Sequence, residues 1–210
     1  MKLNQNILRF TYIDLEFNPS SSSISINFDT IRDVKAFDSS VAKNMAVSVA
    51  KILLEIIAKM TGSDSDRMVL SRPKEHLYGT EELKLYYQFS FMSNLENISE
   101  LLSNWKSISL FLHFRKWNSM RSISDDYIDL YINISEEWDY DRYVPDCYTT
   151  EASDYLSKFK PFLEQKICEL INIEPEINAK RIAFADPIYV EEATPVSGRD
   201  AFELRGIIIE

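Results

Sequence analysis

Three stretches of strict hydrophobic alternation limit what this chain can fold into. In residues 83–91, LKLYYQFSF, the side chains of Leu83, Leu85, Tyr87, Phe89 and Phe91 share one side of an extended backbone. In residues 108–114, ISLFLHF, Ile108, Leu110, Leu112 and Phe114 do the same; in residues 127–134, YIDLYINI, so do Ile128, Leu130, Ile132 and Ile134. A period of two is the mark of a strand, because successive side chains point to opposite faces. One apolar and one polar face specify an antiparallel sheet covered on one side, whereas a parallel sheet reads as unbroken apolar runs.

The remaining elements fit around that sheet. Residues 7–17, ILRFTYIDLEF, and 24–28, ISINF, flank the turn-forming NPSSSS and predict a hairpin. From Asp38 as N-cap to Met60 the chain is apolar around most of a helical circumference, leaving a stripe of Asn44, Ser48, Lys51, Glu55 and Lys59. TGSDSD, residues 61–66, ends that helix and is the one place where a subdivision of a single 1–210 domain could fall. A short amphipathic helix is expected over 94–105, with Leu95, Ile98, Leu101 and Leu102 inward. Another is expected over 149–173, with Tyr155, Leu156, Phe159, Phe162, Leu163, Ile167, Leu170 and Ile171 on one stripe and a kink or restart at Pro161. RIAFADPIYVEE and FELRGIIIE close the chain as strands. The expectation is an α+β fold: a mostly antiparallel sheet of about 7–8 strands covered by three helices, in the order ββα-ββα-ββα-ββ.

Composition narrows the function. A chain of 210 residues that is 45% hydrophobic and 12% aromatic has enough apolar material for its own core. Its longest apolar region, 41–60, is interrupted by Lys43, Asn44, Lys51, Glu55 and Lys59 and is no membrane span. Acidic Asp14 and Glu16 come too early for a secretory signal, and two cysteines, Cys147 and Cys168, are too few for a disulfide framework. A cytoplasmic setting without membrane partners is expected. With 23 basic and 33 acidic residues the net charge is −10, which repels phosphate backbones and opposes nucleic acid as the main partner, while attracting a basic protein.

The chemistry the chain could hold is thin. Gly62, Gly79, Gly198 and Gly206 lie far apart, so no glycine-rich phosphate cradle exists and no cofactor is expected. His76, His113 and the cysteines fall in no metal-ligand spacing. Cys147 with His113 or His76 as base is opposed by Asp141, Asp146 and Glu151, whose charges raise a thiol pKa. Glu82 and Lys84, with Asp64 and Asp66 upstream, resemble the acid-x-Lys arrangement of metal-assisted hydrolases, a pattern that chance also produces often. Glu137, Asp139 and Asp141 alternate as calcium ligands could, but without the glycine turn and terminal glutamate of an EF-hand loop.

Two surfaces remain. Residues 135–148, SEEWDYDRYVPDCY, mix carboxylates with aromatics, and Glu137, Trp138, Asp139, Tyr140, Asp141 and Tyr143 make a partner-binding surface: aromatic anchors with a steering acidic rim. The competing reading folds those aromatics back over a sheet edge. The second surface is the polar side of the alternating strands, with Tyr86, Phe111, His113, Arg115, Tyr127 and Tyr131 beside Lys84, Gln88 and Asp129. Such a face can stack single-stranded bases, or its rings can pair across strands or lie under a helix. The function expected is that of a non-catalytic protein-binding protein, an inhibitor or immunity protein engaging a basic partner. The alternatives are a metal-assisted hydrolase using Glu82, Lys84 and Asp64 or Asp139 and Asp141, and a subunit that self-associates through the C-terminal GIIIE strand.

Overall fold

The computed structural model describes residues 10–17, 22–28, 39–62, 65–79, 84–93, 107–115, 127–135, 150–174, 177–193 and 199–209. Its elements are β1 (Phe10–Phe17), β2 (Ser23–Phe28), α1 (Ser39–Thr61), a 3₁₀ turn (Ser65–Arg67), β3 (Met68–Leu70), β4 (Lys74–Tyr78), β5 (Lys84–Ser93), β6 (Ser107–Arg115), β7 (Tyr127–Ser135), α2 (Thr150–Ile171), β8 (Arg181–Phe184), β9 (Ile188–Ala193) and β10 (Arg199–Ile209). The strands form one antiparallel sheet in the order β3-β5-β2-β1-β6-β7-β10-β8, with β4 also on β5 and β9 also on β10.

The α+β class and the antiparallel sheet match the sequence expectation, and three details differ. Ten strands form among the described residues, against the 7–8 expected. Residues 68–78 supply β3 and β4, whose side chains are mostly exposed and so lack the apolar alternation that marks a strand in sequence. RIAFADPIYVEE divides into β8 and β9 around Asp186 and Pro187, where proline cannot donate to a ladder. Two long helices are described. The third one expected, over 94–105, and the Asp38 cap lie outside the described residues, so the ββα repeat is not reproduced. The GIIIE strand is not a free edge either. Gly206–Ile209 is hydrogen-bonded to β8, and Gly206 and Ile207 also pair with β7, because order in the chain is not order in the sheet.

Both helices lie on the same side of the sheet. Leu53, Ile56 and Ile57 of α1 and Leu156, Leu163 and Ile167 of α2 share one buried cluster with the inward strand residues, including Ile13, Ile24, Tyr87, Phe89, Leu110 and Leu130. The polar stripe of α1, Asn44, Ser48, Lys51, Glu55 and Lys59, is exposed. α2 runs through Pro161 without a restart. The proline and Ser157, whose carbonyl would have been its acceptor, are both exposed, so water can take over the lost bond. Among the described residues no helix is long and apolar enough to cross a membrane.

A bulge in β1 sets the faces of the hairpin. Strict alternation would put Phe10 on the same side as Tyr12 and Asp14. The register shift between Phe10 and Tyr12 turns Phe10 into the core instead, against Phe28 at 5.3 Å and Phe114 at 5.9 Å between ring centroids. The Phe10 amide donates to Glu174 Oε1 at 2.6 Å, tying the start of β1 to the segment that follows α2.

Candidate functional site

The side of the sheet away from the helices carries the chemistry. Register pairing defines a row across seven strands: His76 (β4), Tyr86 (β5), Asn27 (β2), Tyr12 (β1), His113 (β6), Asp129 (β7) and Arg205 (β10). The next row runs Lys74, Gln88, Ser25, Asp14, Phe111, Tyr131, Glu203 and, on β9, Ile188. Apolar residues on the alternate positions of the same strands face the helices, so the core fixes which side chains point outward.

Two groupings stand on this face. On one half, the His76 ring stacks on Tyr86 at 4.3 Å and 8°, and Tyr78 meets Tyr86 edge-on at 6.0 Å. Among the described residues nothing hydrogen-bonds His76 Nε2, which leaves ring stacking as its visible contact. Tyr12 stacks on Phe111 at 5.5 Å and 21°. Its hydroxyl ionises above the usual tyrosine value, through burial first and then the nearness of Tyr78, Asp14 and Tyr86, an electron-rich setting that disfavours a further negative charge. On the other half, Tyr131 donates to Glu203 Oε1 at 2.9 Å and Arg205 Nη2 donates to Glu203 Oε2 at 3.1 Å. Tyr131 and Ala201 form a small second cluster with Phe111 and Val190. Asp129 and Glu203 are 3% and 6% exposed, an unusual burial for carboxylates, and each lies opposite a partner able to hold it, Asp129 between His113 and Arg205 and Glu203 beside Tyr131.

The acidic loop with Glu137, Trp138, Asp139, Tyr140, Asp141 and Tyr143 lies outside the described residues, as do Asp64, Glu82 and Cys147. Of the second surface, Phe111, His113 and Tyr131 lie together on β6 and β7. Arg115 and Tyr127 pair at the end of those strands, and Tyr86 stands apart, with β2 and β1 between. The missed members are Tyr12, Asp14, His76, Tyr78, Glu203 and Arg205. Tyr12 and Asp14 had a signal, since they alternate with Ile13 and Leu15; His76 and Tyr78 had none, because β4 has no apolar period. Cys168 is buried, and its thiol is pushed up by burial and by Glu169, which suits an inert core residue. Among the described residues no three His, Cys, Asp or Glu side chains gather as a metal site requires. Comparison with protein-family models, with curated proteins and with solved structures gives no match to this chain.

Proposed function

We propose that the chain is a non-catalytic binding protein that recognises a basic protein partner through the face of its sheet opposite α1 and α2, acting as an inhibitor or immunity protein that blocks a cationic target in the cytoplasm. The observation that carries this reading is the co-location of Tyr12, Tyr78, Tyr86 and Phe111 with Asp14 on one face of the sheet. Tyrosines supply large contact area with few rotatable bonds, and carboxylates among them steer and orient a cation. Tyr12 and Tyr78 are 39% and 51% exposed, so rings are available at the surface. The net charge of −10 acts over the whole approach and speeds association with a positive partner. Glu137, Trp138, Asp139, Tyr140, Asp141 and Tyr143, which follow β7 in sequence, repeat the same chemistry and are proposed to contribute to the same partner. A free, buried Cys168 accords with a reducing compartment.

The test is capture from a source-cell lysate at low and high salt, using the full chain and the variants Asp14→Lys, Tyr78→Ala, Trp138→Ala with Asp139→Lys, and Lys51→Glu on exposed α1. Wild type and Lys51→Glu should retain one basic protein that weakens with salt, while the face and loop variants lose it. Equal capture by all of them would remove this reading.

A further inference from the structure

The two edges of the sheet are finished differently. At the β8 edge the Ala185 amide donates into the ladder, to the Arg205 carbonyl at 2.8 Å, while the Phe184 amide turns outward. The Glu164 carboxylate of α2 accepts that outward amide at 2.8 Å, so a backbone group that a further strand would use is already taken. β9, on the same edge, carries adjacent Glu191 and Glu192, charges of the kind that discourage strand addition. The β4 edge has neither device. Ser90 donates to Ser71 Oγ and accepts from the Ser71 amide, whereas Phe91 donates to the Ser22 carbonyl just before β2, so even-numbered residues of β5 direct their backbone groups toward β3 and β4. Lys74, His76 and Tyr78 stand opposite Gln88, Tyr86 and Lys84 and bond to them; Glu75 and Leu77, in between, direct N–H and C=O away from the sheet. Among the described residues no strand pairs with that side of β4. Lys74, Glu75, Leu77 and Tyr78 are all exposed there, Leu77 by 46%.

We infer that the open edge of β4 pairs with β4 of a second copy of this chain, antiparallel about a two-fold axis at His76. The outward groups of Glu75 and Leu77 flank His76 symmetrically, so that axis sets Glu75 opposite Leu77 of the second copy, and Leu77 opposite its Glu75. Every outward N–H of the two strands then meets an outward C=O. The edge is bounded to that length. Pro73, the next residue in the outward series, has no N–H, and Gly79 leaves the strand at φ 115°. A register shifted either way sets an outward group against Pro73 or Gly79 of the second copy and loses bonds, so the symmetric pairing is the best matched. Side chains agree with it. Lys74 falls opposite Tyr78 of the second copy, a cation beside an aromatic ring, and Glu75 opposite Leu77 opposes no like charges. Glu75 and Leu77 are exposed on the helix side of the sheet, which leaves space above the edge for the incoming strand. A strand from another protein would bond the same groups, but the stops at Pro73 and Gly79 match a strand that carries the same stops. Pairing over one short strand is small against the about 800 Å² per partner of a stable interface, so association is weak, with a dissociation constant on the order of 10⁻⁴ M. The charge of −10 on each copy adds a repulsion that salt screens.

The test is sedimentation velocity of the full chain from about 5 to about 500 µM, joined to amide hydrogen exchange followed by NMR. A monomer–dimer equilibrium is expected that strengthens with salt, opposite in sign to the salt dependence expected for a basic partner. The Glu75 and Leu77 amides should exchange fast in dilute solution and at least about fivefold slower in concentrated solution, while the His76 amide, bonded to β5, is protected in both. Leu77→Pro removes an outward N–H and no ladder bond, so it should weaken the dimer about tenfold or more with little change in melting temperature. Should that variant fail to fold, charge reports the register instead. Leu77→Glu, opposite Glu75 of the second copy, should weaken dimerisation about fivefold, and Leu77→Lys should not weaken it. Ile207→Lys, at an exposed position of β10, should leave the dimer unchanged. A monomer at every concentration, Leu77 exchange that ignores concentration, equal weakening by Leu77→Glu and Leu77→Lys, or a dimer lost with Ile207→Lys and kept in Leu77→Glu would each overturn the inference. A monomer whose Leu77 amide is protected only by another protein would overturn it too, and would give the edge to a foreign strand.

Discussion

Gly206 shows how closely single residues are specified. It lies on the helix side of β10, opposite Phe184 in the ladder, and a Cβ built there would come within 2.6 Å of Phe184 Cε1 and 3.3 Å of Ile182 Cγ2. Phe184 is itself buried, so its ring has little room to retreat. Gly206→Ala is expected to cost about 1–3 kcal/mol by overpacking, read as a lower urea midpoint, and Phe184→Leu in that background should restore part of the loss. The glycine is visible in sequence as an oddity inside an apolar strand, a sign of a bulge or of close approach; that the close approach is to Phe184 depends on β8 being the neighbour. Tyr12 is a similar case. Its alternation with Ile13 marks it as outward, but its stacking partner, Phe111, is almost a hundred residues away in the chain.

At the scale of elements, polar side chains hold the joints. Glu174 follows α2 and accepts the Phe10 amide at 2.6 Å while 5% exposed, so Glu174→Ala strands a backbone donor and should destabilise by about 1–3 kcal/mol, with Glu174→Gln milder because it keeps an acceptor. Asn172 closes the next loop from both sides, accepting from Ala179 N at 2.8 Å and donating to Ala179 O at 2.9 Å. Lys166 of α2 spans to Glu55 of α1 at 2.6 Å and to Glu169 at 2.7 Å. Its hydrogen bond to Glu169 holds that carboxyl below the usual range, against burial, so this share of stability is present at neutral pH and is lost as pH falls through the acid range. Lys166→Met should therefore cost about 0.2–1 kcal/mol near neutrality and progressively less in acid, measured by urea unfolding across pH. Amphipathic periods made both helices legible in sequence; these joints were not, since each links residues whose nearness the sheet order creates.

At the scale of the molecule, α1 is fastened at both ends by tyrosine hydroxyls. Tyr87 Oη of β5 lies 3.1 Å from the Ser39 carbonyl oxygen and 2.8 Å from Glu75 Oε2, its one proton serving one acceptor at a time; Tyr155 of α2 donates to the Met60 carbonyl at 3.1 Å. Burial pushes Tyr155 from 10.0 up to about 12, and burial with the bond to Glu75 pushes Tyr87 up as well. The folded chain keeps these protons to higher pH than the unfolded chain does, so stability falls as pH rises past the ordinary tyrosine range. Between pH 10 and 12 that decline should be shallower in Tyr155→Phe than in wild type, by chemical denaturation at each pH. A slope identical in both would show that Tyr155 titrates alike in the two states.

The sequence by itself determined the class of fold, the long strands, the two described helices and their buried stripes, because alternation and helical periodicity are local properties that burial of one face imposes residue by residue. It also determined the net charge and aromatic content from which the proposal of a basic protein partner starts. Only the tertiary structure decided where those residues meet. β2 and β1 come between Tyr86 and Phe111, and exposed β4 brings in His76 and Tyr78 without an apolar pattern. Tyr12 and Tyr86 stand in one row only because β1 and β5, distant in sequence, hydrogen-bond to opposite edges of β2. Strand neighbours are chosen by long-range backbone pairing and by packing of the whole core, and neither leaves a mark within any one segment of the chain.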